Sequence, residues 1–201
     1  MSGFRVAGAL GVTAPPVAAA LVLVGGLMTP GYDPFTRTIS RLASPGLPGA
    51  FGVELAISFV GAALLGLAVV VRPGSQVGRA LIGVAGVGLL VTAAIRLDPA
   101  SSTATTEHRL ATTVAMLALT AAPLAFAGSY GRISFGFGVA EVCMLLVGLA
   151  LLPTTFAAWG AWERCFLALP MAWMVWLAWI SSVSTDDTMK APAASQSSSG
   201  S

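Results

Sequence analysis

Six long apolar segments, with nearly all of the charge confined to alternate connections between them, constrain this chain more than any other feature. The segments cover residues 5–27, 51–71, 80–97, 108–127, 133–152 and 163–183. Each is about long enough to cross a hydrocarbon core of ~30 Å as a helix. The first, third and fifth connections and the helix ends beside them carry Asp33, Arg37, Arg41, Arg96, Asp98, Glu107, His108, Arg109, Glu163 and Arg164. An even number of crossings separates these connections, so all three fall on one side of a membrane. The expected fold is all-α: an integral membrane bundle of six transmembrane helices over residues 1–183.

Composition supports the bilayer as solvent. The chain is 56% hydrophobic and 9% charged, whereas a soluble domain averages about 25% charged residues. Net charge is +2, and the arginines are scattered rather than gathered into a basic patch, which argues against nucleic acid as a partner. The two cysteines are too few for a disulfide framework. Cys143 and Cys165 sit at different depths and read as small apolar core residues. Arg5 and the apolar run after it resemble a signal peptide. Ala14-Pro15-Pro16 interrupts that run, which continues to Leu27 with no A-x-A site just after it. The expectation is a retained first helix, kinked or restarted at the prolines. From Ser184 to Ser201 the chain is small, polar and rich in Pro and Ser, which predicts a disordered tail.

Positive residues in short loops favour the cytoplasm, but their number is balanced between the two sides. Arg37, Arg41, Arg96, Arg109 and Arg164 share their side with Asp33, Glu54, Asp98, Glu107 and Glu163. Arg5, Arg72, Arg79 and Arg132 have no acidic neighbour in their loops. These four are assigned to the inside. Both termini are then cytoplasmic, the polar face is extracytoplasmic, and the location is a cytoplasmic membrane, a bacterial one on the resemblance given below. Trp159 and Trp162 belong to the outer aromatic belt on this reading, and Trp179 to the inner one.

The three polar loops resemble one another. They read Y-D-P-F-T-R-T-I-S-R-L-A at 32–43, L-D-P-A-S-S-T-A-T-T-E-H-R-L-A at 97–111 and L-P-T-T-F-A-A-W-G-A-W-E-R at 152–164. Each opens at a proline past a span and closes on an arginine near the next helix start, a pattern open to internal duplication or to the ordinary composition of outer loops. Asp33-Pro34 is an N-cap followed by proline at the first helical position. Phe35, Ile39 and Leu42 then share one face, which predicts a short interfacial amphipathic helix.

Three constellations bear on chemistry. Ser40, His108 and Asp98 supply the residue types of a nucleophile, its base and an orienting group, without a supporting G-x-S-x-G turn. The plainer reading puts Ser40 among headgroups and His108 at a helix start. His108 is the only histidine, so a three-histidine zinc site is excluded and no cofactor is expected. The second constellation is the arginine–carboxylate set, with Tyr32 beside it. It reads either as a lattice of ion pairs locking the helix ends, or as a face on which free arginines hold a lipid phosphate. The lattice reading expects Arg37 or Arg41 to reach Asp98 or Glu163, and Arg164 to reach an acid of another loop. The third is Glu141, in the middle of the fifth segment. An intramembrane acid is either a proton or cation relay or a neutral group bonded to Thr120, Ser58 or a carbonyl. Trp173, Trp176 and Trp179, at helical spacing, read as packing and interface anchors.

At Y-D-P-F-T-R-T-I-S-R-L-A, at L-D-P followed by E-H-R-L-A, and at W-E-R opening the last segment, the chain resembles a bacterial multi-pass family, the domain of unknown function 998. The resemblance covers nearly everything short of the tail. The family pattern has phenylalanine and proline ahead of the middle Asp-Pro, where this chain has Arg96 and Leu97. The resemblance implies a fold and a membrane location, and no activity. The expected function is therefore non-enzymatic: a polar outer face binding a lipid headgroup, a small ligand or a membrane protein partner. The alternatives are a lipid-modifying enzyme using Ser40 and His108, and a small proton-coupled carrier using Glu141.

Overall fold

The computed structural model describes residues 3–190, with side chains described for residues 6–182. The side chain of Arg5 and residues 191–201 of the expected tail lie outside the described residues. The described chain forms α1 (Gly3–Met28), α2 (Ile39–Leu42), α3 (Ala50–Val70), α4 (Gln76–Ala94), α5 (Ser102–Leu151) and α6 (Trp159–Lys190), and no strand occurs among the described residues. Helix is the expected outcome for such segments, because it satisfies every backbone donor and acceptor internally where lipid offers none. α1 passes through Pro15 and Pro16 without restarting. α6 continues through Ser184, where the sequence places the start of a polar tail.

Five helices are long and apolar enough to cross a membrane: α1, α3, α4, α5 and α6. α5, at 50 residues, covers both the fourth and the fifth apolar segments. It is broken at Gly131, where φ is +67° and ψ −151°, a backbone region essentially reserved for glycine. The arms on either side, residues 102–130 and 132–151, turn back on each other. Ser134 Oγ donates to the Pro123 carbonyl at 2.7 Å, although eleven residues of straight helix would separate them by about 16 Å. The Leu124 side chain likewise lies against Gly138.

The long helices close into a ring: α3 packs on α1, α1 on α6, α6 on α5, α5 on α4, and α4 on α3. Their inner faces share one core, with Trp173, Phe126, Leu64, Leu67, Ile82, Leu119 and Met174 almost fully buried. Trp173 donates from Nε1 to Ser134 Oγ at 3.1 Å, tying α6 to both arms of α5. Gly61 and Gly86 let the α3 and α4 backbones approach so closely that a Cβ on Gly86 would collide with the Gly61 carbonyl and one on Gly61 would press on the Gly86 carbonyl, the packing mode that lipid favours. The outer faces stay apolar: Leu27 is 80% exposed, and Leu23, Val69, Val77 and Leu110 are each 65% exposed. Exposed apolar surface on every long helix suits a lipid surround. Cys143 and Cys165 lie on this outer surface, contrary to the expectation of core positions, because each falls on the helix face turned away from the ring.

The three charged connections meet at one end of the ring, hereafter the polar end. At the opposite end, Arg79 donates from Nε and Nη2 to the Ala68 and Val69 carbonyls. It thus closes the α3 C-terminus, where carbonyls lack helical partners.

Candidate functional site

The first charged connection is pinned to the start of α6. Ala161 N–H donates to the Phe35 carbonyl at 2.9 Å. Arg164 Nη1 donates to the carbonyls of Pro34 (2.7 Å), Arg37 (3.2 Å) and Gly160 (2.8 Å). Arg164 Nη2 donates to the Tyr32 hydroxyl at 2.6 Å, and the guanidinium lies over the Tyr32 ring. The Tyr32 hydroxyl in turn donates toward the Arg37 and Thr38 carbonyls. Glu163 Oε2 accepts from Ile39 N–H. Gly160 permits this approach, since a Cβ there would collide with the Pro34 and Arg37 carbonyls. Arg164 and Glu163 therefore satisfy loop backbone, and the expected bond from Arg164 to an acid of another loop is not made. The Pro34, Arg37 and Gly160 carbonyls take Arg164 Nη1 instead.

Asp33 does not start a helix. Its Oδ1 accepts from Phe35 N–H at 3.0 Å, and its Oδ2 from the Thr36 hydroxyl at 2.8 Å. This closes a turn before α2. Those two bonds, the Phe35 amide first, hold the exposed Asp33 carboxyl below its ordinary value near 3.8. The anticipated amphipathic helix over the Phe35, Ile39 and Leu42 face shrinks to the four residues of α2. Leu42 is fully buried with Ala43 and Val53, while Phe35 is 60% exposed. The stripe thus splits between a plug packed on α3 and a side chain facing outward.

Arg96 finds an acid: its Nη2 donates to Glu54 Oε2 at 2.9 Å, joining the end of α4 to the start of α3. Arg37, Arg41 and Arg109 do not. All three are exposed, and no hydrogen bond or ion pair joins their guanidinium groups to a described residue. The expected pairing of Arg37 or Arg41 with Asp98 or Glu163 is absent. Asp98 Oδ1 accepts from Ala100 N–H and its carbonyl from the Thr105 hydroxyl, and Glu163 is held by Ile39. Glu107 is exposed, without a described partner.

The three free arginines line one cavity of about 420 Å³, together with Tyr32, Thr29, Ser44 and Thr105. No acidic residue lines it. Guanidinium groups present planar donor forks matched to phosphate and carboxylate oxygens, so the cavity is suited to an anion. Ser44 and Thr105 were not singled out from the sequence. Their only sequence signal is a position just beyond the arginine-bearing motif and the second Asp-Pro motif.

The other constellations stay apart. His108 is 2% exposed, and its Nδ1 lies 2.6 Å from the Ile95 carbonyl. No hydrogen bond connects it to Ser40 or Asp98. Glu141 is fully buried on the second arm of α5, with neither carboxyl oxygen hydrogen-bonded. It lines neither this cavity nor the larger apolar one, of about 730 Å³, that opens below the polar end among α1, α3 and α6. No group of three or more His, Cys, Asp or Glu able to hold a metal occurs among the described residues.

A family model described as "Protein of unknown function (DUF998)" matches residues 12–180. Searches of curated proteins and of solved structures found no match to the chain.

Proposed function

We propose, for a chain that belongs to the DUF998 family of proteins of unknown function, that its role is to bind the anionic headgroup of a membrane lipid in the Arg37, Arg41 and Arg109 cavity. One observation carries this reading. Three guanidinium groups face a shared space whose lining holds no acid, only Arg37 feeling a nearby carboxylate, that of Asp33 outside it, while Arg96, Arg164 and Arg79 each bond to protein acceptors. On this reading the protein is a non-enzymatic, multi-pass protein of a bacterial cytoplasmic membrane. The two arms of α5 count as separate crossings, giving six, and both termini lie in the cytoplasm. The fold-back at Gly131 and the meeting of the three charged connections at one end support six crossings. The acid-free surroundings of Arg72 and Arg132 support the orientation.

Glycerol phosphate titrated into the detergent-solubilised protein tests the headgroup site. A ligand that binds only the folded state raises its thermal midpoint. Each charge-assisted hydrogen bond lost should weaken binding about tenfold or more. Single alanine variants of Arg37, Arg41 and Arg109 should each lose affinity, and the Arg72→Ala variant should not. Equal binding by all four would reject the site. Reporter fusions at Gly74 and Ser101 test the orientation, with Gly74 expected inside, and a cytoplasmic Ser101 would reject it.

A further inference from the structure

The apolar cavity of about 730 Å³ meets the cationic one at Tyr32. Its walls come from α1, α3 and α6, and it reaches inward as far as Leu89 on α4 and Met116 on α5. Along α1 the lining runs from Leu27 at the polar end to Pro15, twelve residues or about 18 Å of helical rise. Along α6 it runs from Arg164 to Val175, eleven residues or about 16 Å. Both lengths are close to half of a ~30 Å hydrocarbon core. The cavity is therefore one leaflet deep, and it begins at the polar end. Ala19, Leu23, Leu27, Ala168 and Ala172 line it and are themselves exposed, so the cavity is a groove open to the surroundings of the helices rather than a closed void.

Tyr32 lines both cavities. Its ring lies under the Arg164 guanidinium, and its hydroxyl is held by Arg164 and by loop carbonyls. Arg164 Nη1 and Nη2 both donate to protein acceptors, and Arg164 does not line the cationic cavity. Arg164 therefore fixes the shared wall and leaves the anion to Arg37, Arg41 and Arg109.

We infer that the two cavities form one amphipathic site, in which an anionic glycerophospholipid places its phosphate among Arg37, Arg41 and Arg109 and one acyl chain in the groove between α1, α3 and α6. The inference rests on the headgroup reading and adds the ligand class and the path of its chain. Charge selects the lipid, since the head of the site presents three guanidinium groups and its lining holds no acid. Length selects the chain, since the groove matches one leaflet. Each methylene buried there should strengthen binding about fourfold relative to water, but only slightly relative to a bilayer. The groove therefore contributes position and selectivity more than affinity.

The test uses the full chain in phosphatidylcholine nanodiscs doped with a phosphatidylglycerol probe that carries a diazirine midway along one acyl chain. After irradiation, label is mapped by peptide mass spectrometry. The expected result is label concentrated on residues 18–23 of α1 and 167–172 of α6, at least severalfold above the outer face around Leu110 and Leu117. Ala19→Trp and Ala168→Trp, each at an exposed lining position, should remove that excess. Arg37→Ala/Arg41→Ala should remove it as well, and a phosphatidylcholine probe of the same chain should not produce it. Label spread evenly over the lipid-facing helices would overturn the groove, with the headgroup reading still judged separately by glycerol phosphate. Equal groove labelling by the phosphatidylcholine probe would overturn the link between the cavities. Protection of the groove by a second copy of this chain, seen as intermolecular cross-links through α1 or α6, would also overturn it. Because the wild-type map alone discriminates these outcomes, the inference does not depend on the tryptophan variants folding.

Discussion

Arg164 Nη2 donates to the Tyr32 hydroxyl at 2.6 Å across 132 residues of sequence, with the guanidinium 5.8 Å from the centroid of the Tyr32 ring. This contact joins the first charged connection to the start of the last long helix. It also stands where the cationic cavity and the apolar groove meet, since Tyr32 lines both and Arg164 lines the groove. Guanidinium over an aromatic face adds attraction to the hydrogen bond. Arg164 Nη1 reaches the Pro34 and Arg37 carbonyls, which belong to the irregular loop rather than to a helix or strand.

The first prediction separates the arginines by their partners. Arg164→Ala leaves the Pro34 carbonyl and the Tyr32 hydroxyl without their charged donor. Hydrogen bonds to charged groups contribute about 1.5–3 kcal/mol each, and partial exposure of this cluster reduces the net loss to about 2 kcal/mol. Arg37→Ala removes no described bond and should stay within about 0.5 kcal/mol of wild type, like Arg72→Ala. Thermal unfolding in detergent checks the order. A loss for Arg37→Ala as large as that for Arg164→Ala would contradict the described pairing.

The second concerns the turn at Gly131. With φ at +67° and ψ at −151°, any side chain there should cost about 1–3 kcal/mol. The space around it is open, with nothing within 4 Å of a Cβ, so the cost is conformational rather than steric. Gly131→Ala should lower the thermal midpoint, whereas Gly128→Ala, equally uncrowded and without positive φ, should leave it unchanged or raise it slightly. Equal effects at the two positions would place the turn elsewhere.

The third concerns acid. Asp33 is held below its ordinary value near 3.8 by the Phe35 amide and the Thr36 hydroxyl. A carboxyl depressed on folding stabilises the turn fully above its unfolded value, and that contribution is lost as pH falls through the lower folded value. The Asp33 carboxyl carbon followed by NMR should titrate with a midpoint below 3.8, and the Phe35 amide shift should move with it. Asp33→Asn should abolish that movement. A midpoint at or above 3.8 would mean that the turn is not closed by this carboxylate.

Much of the frame was legible in the sequence, and for a local reason. A run of about 20 apolar residues is helical in lipid whatever it packs on, so the positions of the long helices follow from hydropathy alone. The exception is instructive. The fourth and fifth segments are joined by little more than the stretch around Gly128–Gly131, and helix continues on both sides of a single turn residue. Ser40, His108 and Asp98 show the opposite limit. They share the polar end, as their place in the loops implies, yet His108 spends its Nδ1 on the Ile95 carbonyl. Likewise Cys143 and Cys165 are apolar by type and still face outward, because in lipid both faces of a helix are apolar and hydropathy carries no sign of which is inside.

The sequence by itself determined the helices, the end of the bundle that gathers the charge and the residues offered there. Only the tertiary structure decided which arginines are spent and which are free. Arg37, Arg41, Arg96, Arg109 and Arg164 are the same residue in similar loops, and each carries donors that any acceptor satisfies. Their fates differ because acceptors are a property of folded backbone. The irregular stretch from Tyr32 to Thr38 presents its carbonyls to Arg164, Glu54 stands opposite Arg96, and the remaining acids are held by amides and a hydroxyl or face outward alone. Arg37, Arg41 and Arg109 are left facing one cavity because the connections of two separate hairpins meet there, across distances in sequence that no local pattern encodes.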